Sequence, residues 1–176
     1  MKHDSYPDDY IRRVLEETRV VAMVGASANS VRPSYFAMKY LLSKGYLVIP
    51  INPGLAGQLI LGVEVKASLA DLSPPVDMID IFRNSEAALE ITREAIRHKD
   101  RLGLKFIWMQ LSVRNEEAAK EAEAAGLRVV MNRCPKIEYG RLSGEIGWAG
   151  VASRTLSSQK PKLLGQGHQK LGLGKR

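Results

Sequence analysis

The sequence predicts an α/β domain whose parallel sheet is covered by helices on both faces. Three observations carry that expectation. Apolar runs of strand length recur five times along the 176 residues. Helix-length segments with an apolar stripe stand between them. Glycine, proline and asparagine mark the points where each element must stop. Strands that alternate with helices are joined by right-handed crossovers and therefore lie parallel.

The leading element is a helix over residues 6–17. Pro7 suits its first turn, Asp8 and Asp9 complement the helix dipole, and Ile11, Val14 and Leu15 share one face. Val20-Val21-Ala22-Met23-Val24 reads as a buried first strand. A small-residue loop follows from Gly25 and ends at Pro33, whose missing N–H costs nothing at the start of a helix. That helix, over residues 34–44, carries Ala37, Met38, Leu41 and Leu42 as its stripe, and Gly45 stands where a C-terminal cap belongs. Residues 46–51 form the second strand and end in the turn Asn52-Pro53-Gly54; Pro50 fits only near the carboxyl end, where ladder pairing stops. Residues 57–66 are compatible with a short strand or an extended connection, and residues 68–72 with a helical turn that Pro74-Pro75 halts.

Residues 76–82 are the third strand. Asn84 or Ser85 caps a helix running to His98, with Ala88, Ile91 and Ala95 as its packed stripe. Residues 105–111 form the fourth strand. Asn115 caps the next helix, which has Glu116 and Glu117 in its first turn, Glu116 four residues before Lys120, and Gly126 past its end. Its alanine face (Ala118, Ala122, Ala125) permits close approach to a sheet, and residues 127–131 are the fifth strand. From 139 to 158 glycines interrupt any regular pattern, so a loop or short helix over the sheet is expected. The division is therefore one domain over 1–158 and a basic, disordered tail over 159–176, too poor in apolar residues to order itself.

Composition narrows the function classes. An apolar fraction of 45% with 26% charged residues is that of a globular protein, and no 18-residue apolar run suggests a membrane span. The first residues lack the hydrophobic core of a signal peptide, and a single cysteine excludes an internal disulfide framework, so a reducing cytoplasm is expected. The net charge of +7 is concentrated at the end: from Arg154 onward there are six basic residues and no acid, leaving 20 basic and 19 acidic residues before it. The domain itself is nearly neutral, so no nucleic-acid partner is expected of it.

Strand, small-residue loop, helix, strand is the phosphate-binding unit of doubly wound folds. The dinucleotide fingerprint places glycine at the first, third and sixth loop positions; here they hold Gly25, Ser27 and Ser30. Gly25 can turn sharply out of the strand, Ser27 adds a hydroxyl, and Arg32 brings positive charge to a helix N-terminus that already favours anions. NAD binders carry an acid at the end of the second strand, where this chain has Asn52; that argues against NAD and leaves a phosphorylated adenine nucleotide open. His3, His98 and His168 all lie away from the ligand edge, which argues against a zinc site or a histidine-based hydrolase. Asp77 and Asp80, three apart in a strand, point to opposite faces and do not form an acid–base pair.

Gly25-Ala26-Ser27, Arg32-Pro33-Ser34-Tyr35, Gly45-Tyr46 and Ile51-Asn52-Pro53 resemble the CoA-binding domain family, whose small members are related to the nucleotide-binding domain of the succinyl-CoA synthetase alpha subunit. Residues 76–83, Trp108-Met109-Gln110-Leu111 and residues 131–138 continue the likeness, which runs over about residues 14–158. The sequence departs from the family pattern at Ser112, where glycine is usual, and at Asn132, where aspartate is usual. The resemblance implies a Rossmann-like, doubly wound, five-stranded parallel sheet of order 3-2-1-4-5 and a ligand, coenzyme A or an acyl-CoA, bound without chemistry. The residues expected at that ligand are Gly25, Ala26, Ser27, Arg32, Pro33, Ser34, Asn52, Pro53, Phe82, Arg83, Gln110 and Cys134. Arg133 and Lys136 flank the cysteine and are expected to lower its pKa, favouring a mixed disulfide with CoA. The ligase relatives need a phosphorylated histidine and a second domain, which this sequence does not provide. Two alternatives stay open: a nicotinamide-nucleotide-binding oxidoreductase or redox-sensing module, and a nucleic-acid or anionic-surface binder acting through the tail. The expected partner is thus a small molecule and no membrane, and a homodimer is left open.

Overall fold

The computed structural model describes residues 2–145. The expectations for residues 146–158 and for the tail lie outside the described residues.

Helix α1 (Asp8–Glu17) buries Ile11, Val14 and Leu15, and Pro7 stands just before it as the N-cap. Strand β1 (Val20–Val24) leads through the loop to α2 (Pro33–Ser43), with Pro33 at its start and Gly45 beyond its end at φ +88°. Strand β2 (Leu47–Ile51) precedes a minimal antiparallel pair, β3 (Leu59–Ile60) and β4 (Val63–Glu64). Strand β5 (Met78–Ile81) is followed by α3 (Ser85–Arg97), which the Asn84 side chain caps by accepting from the Ala87 N–H at 3.0 Å. A single turn, α4 (Lys99–Leu102), ends at Gly103 and leads into β6 (Phe106–Met109). Helix α5 (Glu116–Ala124) is capped by Asn115 in the same manner as α3, at 2.9 Å to the Ala118 N–H. Glu116 receives a hydrogen bond from Arg114, two residues before it, at 2.7 Å. Strand β7 (Arg128–Val130) and α6 (Pro135–Leu142) complete the described chain.

The main sheet has five parallel strands in the order β2-β1-β5-β6-β7. On the outer side of β2, Lys66 forms one parallel bridge to Ile51; its N–H donates to Pro50 O at 2.9 Å and its carbonyl accepts from Asn52 N at 3.0 Å. With that rudimentary strand counted third the row reads 3-2-1-4-5-6, the doubly wound pattern whose first five places are the expected 3-2-1-4-5. The run at 76–82, third in the sequence count, stands fourth and pairs directly with β1. Pro50 turns its missing N–H toward this sparsely paired outer side, where the loss of a donor is tolerated.

Alternation along the strands sorts the core into two layers. Ala22, Ile79, Ile107 and Val129 face α3 and α5, whose Ala88, Ala95, Ala118 and Ala122 let both helices sit close. Val21, Met23, Met78, Phe106 and Trp108 face α1, α2 and α6. Complete burial of each large side chain stabilises the fold by roughly 1.5–3 kcal/mol. Trp108 also satisfies its ring N–H, which donates to Arg133 O at 2.7 Å.

Of the loop or short helix expected from residue 139, the described residues show a short helix, α6, which starts earlier than expected. Pro135 opens it, and Gly140, read as a breaker, lies inside it with Gly140 and Leu142 buried. A mid-helix glycine costs about 1 kcal/mol relative to alanine, which tertiary burial outweighs here.

Candidate functional site

The site is built where the strands end. Gly25 adopts φ +88°, and its N–H donates to Ile51 O at 3.0 Å, tying the exits of β1 and β2 together. A Cβ at this position would meet Arg83 Cδ at 3.1 Å and the Phe82 carbonyl carbon at 3.2 Å. Conformation and close approach therefore both require glycine here.

Asn52 stitches the same two strand ends from the other side. Its Nδ2 donates to Ala26 O at 2.8 Å and its Oδ1 accepts from Gly54 N at 3.0 Å. Asn52 thus shapes the loop, with Pro53 opening a turn of 3₁₀ helix beside it. Along the loop, Ser27 Oγ accepts from Asn29 N at 3.2 Å and Asn29 Oδ1 accepts from Val31 N at 3.1 Å. Arg32 is the N-cap of α2 and makes no side-chain capping bond; Pro33 has no N–H and the Tyr35 N–H donates to Arg32 O at 3.0 Å, so in the first turn the Ser34 N–H is the donor left for an anion. Its side chain is exposed, and among the described residues it has no carboxylate partner. Ser34, in the first turn, is buried.

A cavity of about 420 Å³ opens beside this turn on the α3 side of the sheet. That volume is typical of small-molecule sites, which span roughly 300–1,000 Å³. Gly25 and Arg83 line one part of it, Asn52 and Pro53 another, over the apolar floor of Val24 and Ile51. Two further walls were missed by sequence reasoning: Ala67, Ser68 and Leu69 after the bridge strand, and the α3 stripe Ala87, Glu90, Ile91 and Glu94. The spacing of three and four along α3 shows that these residues share a face, of which the sequence reading placed only Ile91 in the packed stripe.

The remaining expected residues lie elsewhere. Phe82 packs, partly buried, among the α2-side residues. Gln110 is buried, and its Nε2 donates to both oxygens of Asp80 at 2.9 and 3.1 Å, so its amide serves the protein interior. Burial pushes the Asp80 carboxyl up to about 7, against the opposing pull of that amide. Asp77 lies at the opposite end of the sheet, where it accepts from the Arg19 and Val20 N–H groups and from Lys105 Nζ. Burial pushes its carboxyl up, but Lys105 and the two N–H groups outweigh this and hold it below the ordinary value.

Cys134 stands at the N-cap of α6. The expectation of an activated thiol is corrected: burial pushes its pKa up, and the nearby Asp80 adds to this, beyond the opposing pull of the Ile137 and Lys136 N–H groups and the Lys136 charge. Arg133 is directed elsewhere, onto the Tyr6 ring, the Asn132 carbonyl and Glu138. Among the described residues no group of three or more His, Cys, Asp or Glu is placed to hold a metal ion, and no helix is long and apolar enough to cross a membrane.

Sheet order, glycine turn and helices on both faces define a Rossmann-like α/β domain. Residues 19–140 match the family model described as CoA binding domain, and the chain belongs to that family. It is 30% identical over 129 residues to the uncharacterized protein YneT of Bacillus subtilis (strain 168), across 73% of this chain and 91% of that one. A hypothetical protein from Pyrococcus horikoshii OT3 superposes with a TM-score of 0.73 at 35% identity, over 82% of this chain and 97% of its own. The dinucleotide forming acetyl-coenzyme A synthetase 1 of Ca. Korarchaeum cryptofilum, solved in complex with phosphate and ADP, is 29% identical with a TM-score of 0.54. There the match covers 65% of this chain and 26% of the synthetase.

Proposed function

We propose that this protein binds coenzyme A, free or acylated, in the cytoplasm and performs no chemistry on it. The observation that carries this reading is the cavity of about 420 Å³ continuous with Gly25 and Arg83, in a chain of the CoA binding domain family. The pyrophosphate is assigned to the backbone around Gly25 and Ser27 and the N-terminus of α2, with Arg32 and Arg83 supplying charge. The adenine is assigned to the cavity beside Asn52 and Pro53. Asn52 and Ser68 hold neighbouring loop groups and so fix the shape of the pocket, as a binding role requires.

A thermal-shift panel of CoA, acetyl-CoA, NAD, NADP and ATP tests the reading. At about 100 times its dissociation constant CoA should add roughly 2.7 kcal/mol of stability. A larger shift with NAD than with CoA rejects it. Incubation with acetyl-CoA should release no free thiol beyond the protein-free rate.

A further inference from the structure

We propose that Glu94 reads the base of the bound nucleotide, accepting a hydrogen bond from the exocyclic amino group of adenine; this rests on the CoA reading above.

Most polar groups of the cavity are already engaged within the protein. Asn52 spends its amide on Ala26 O and its carbonyl on Gly54 N. Ser68 Oγ donates to Asp71 Oδ2 at 2.8 Å within a capping box. Glu90 is held by Arg93 Nη1 at 3.0 Å, and its side chain is 73% exposed. Two charged groups remain with no hydrogen-bond or ion-pair partner among the described residues: Arg83 and Glu94. Arg83 lies against the glycine turn, where phosphate is expected. Glu94 lies on α3 seven residues after Ala87, about 10 Å further along the helix axis.

The cavity thus offers a cation beside the glycine turn, a carboxylate further along α3, and apolar walls from Val24, Ile51, Leu69 and Ile91 between polar groups. Its ligand should carry an anion, a flat apolar body and an N–H donor at the far side. An adenine nucleotide has those three parts. A base with a carbonyl in place of the amino group would set oxygen against the carboxylate, a mismatch that a hydrogen-bonding site rejects strongly. Glu94 is therefore a specificity-determining residue for the base.

The test is calorimetric titration with CoA and with its deaminated analogue, in which hypoxanthine replaces adenine. The wild-type protein should prefer CoA by about tenfold or more, the scale of a hydrogen bond to a charged group. Glu94→Gln, whose amide can donate to the hypoxanthine carbonyl, should abolish or reverse that preference. Glu117→Gln, at an exposed carboxylate of α5 outside the cavity lining, should leave it intact. Equal binding of both ligands to the wild type, or an unchanged preference in Glu94→Gln, overturns the assignment while CoA binding stands. Failure of the wild type to bind CoA at all overturns both readings.

Discussion

Arg83 lies across Gly25, its Cδ 3.1 Å from the point a β-carbon would occupy on the glycine. The loop after β1 and the loop after β5 therefore meet at van der Waals distance, and a side chain at 25 would separate them. Gly25→Ala should destabilise the protein by roughly 1–3 kcal/mol, because a left-handed backbone is imposed on a residue with a β-carbon and the contact with Arg83 and Phe82 must open. Urea denaturation measures it. Adding Arg83→Ala should not restore stability, since the Phe82 carbonyl carbon still lies 3.2 Å away.

Arg32 presents its charge at the start of α2 without a carboxylate partner among the described residues. Arg32→Ala should weaken CoA by roughly 1.5–3 kcal/mol while changing the stability of the ligand-free protein by less than about 0.5 kcal/mol. Calorimetry and denaturation together check both halves; unchanged affinity would remove Arg32 from the site.

Cys134 should be a slow nucleophile, because burial raises its pKa. Intact-mass measurement after incubation with CoA disulfide at neutral pH should show an adduct forming more slowly than on the urea-unfolded chain. Faster modification of the folded protein would restore the activated thiol.

Asp80 and Asp77 should impose opposite pH dependences on stability. Asp80 titrates near 7 in the folded protein against an ordinary value of 3.8, so between about 4 and 7 the folded state holds a proton that the unfolded state has lost. Stability from this group is full below about 4, falls as the pH rises through that window, and is level above it. Asp77 is held below 3.8, so its contribution is present above that value and is lost as the pH falls through its folded pKa. Denaturation curves of Asp80→Asn should lose the decline between pH 4 and 7 and keep the acid limb.

Ser112 and Asn132, the two departures from the family pattern, are bonded to each other: Ser112 N donates to Asn132 Oδ1 at 2.8 Å, with φ of 65° and 53°. Ser112→Gly keeps that bond and relieves a left-handed serine, so stability should rise by up to about 1 kcal/mol in thermal denaturation. A loss of stability would show that the serine side chain contributes more than its backbone strain.

Features set by near neighbours were legible in the sequence. Pro33 starting α2, Asn84 and Asn115 capping their helices, and Gly25 turning out of β1 each depend on bonds spanning a few residues, and the side-chain types report them directly. The five strands and the loop that meets the cavity followed from the same short-range signals. The partners of Gln110 and Cys134 did not. Gln110 turns inward because β6 pairs with β5 in a register that sets Trp108 opposite Asp80, which leaves residue 110 on the Asp80 face. Register also seats the bridge at Lys66 beside β2, and packing keeps α6 helical through Gly140. The α3 face holding Glu94 has the same period whether it meets the core or a cavity. The local pattern names that face, and only the arrangement of distant elements decides what stands opposite it.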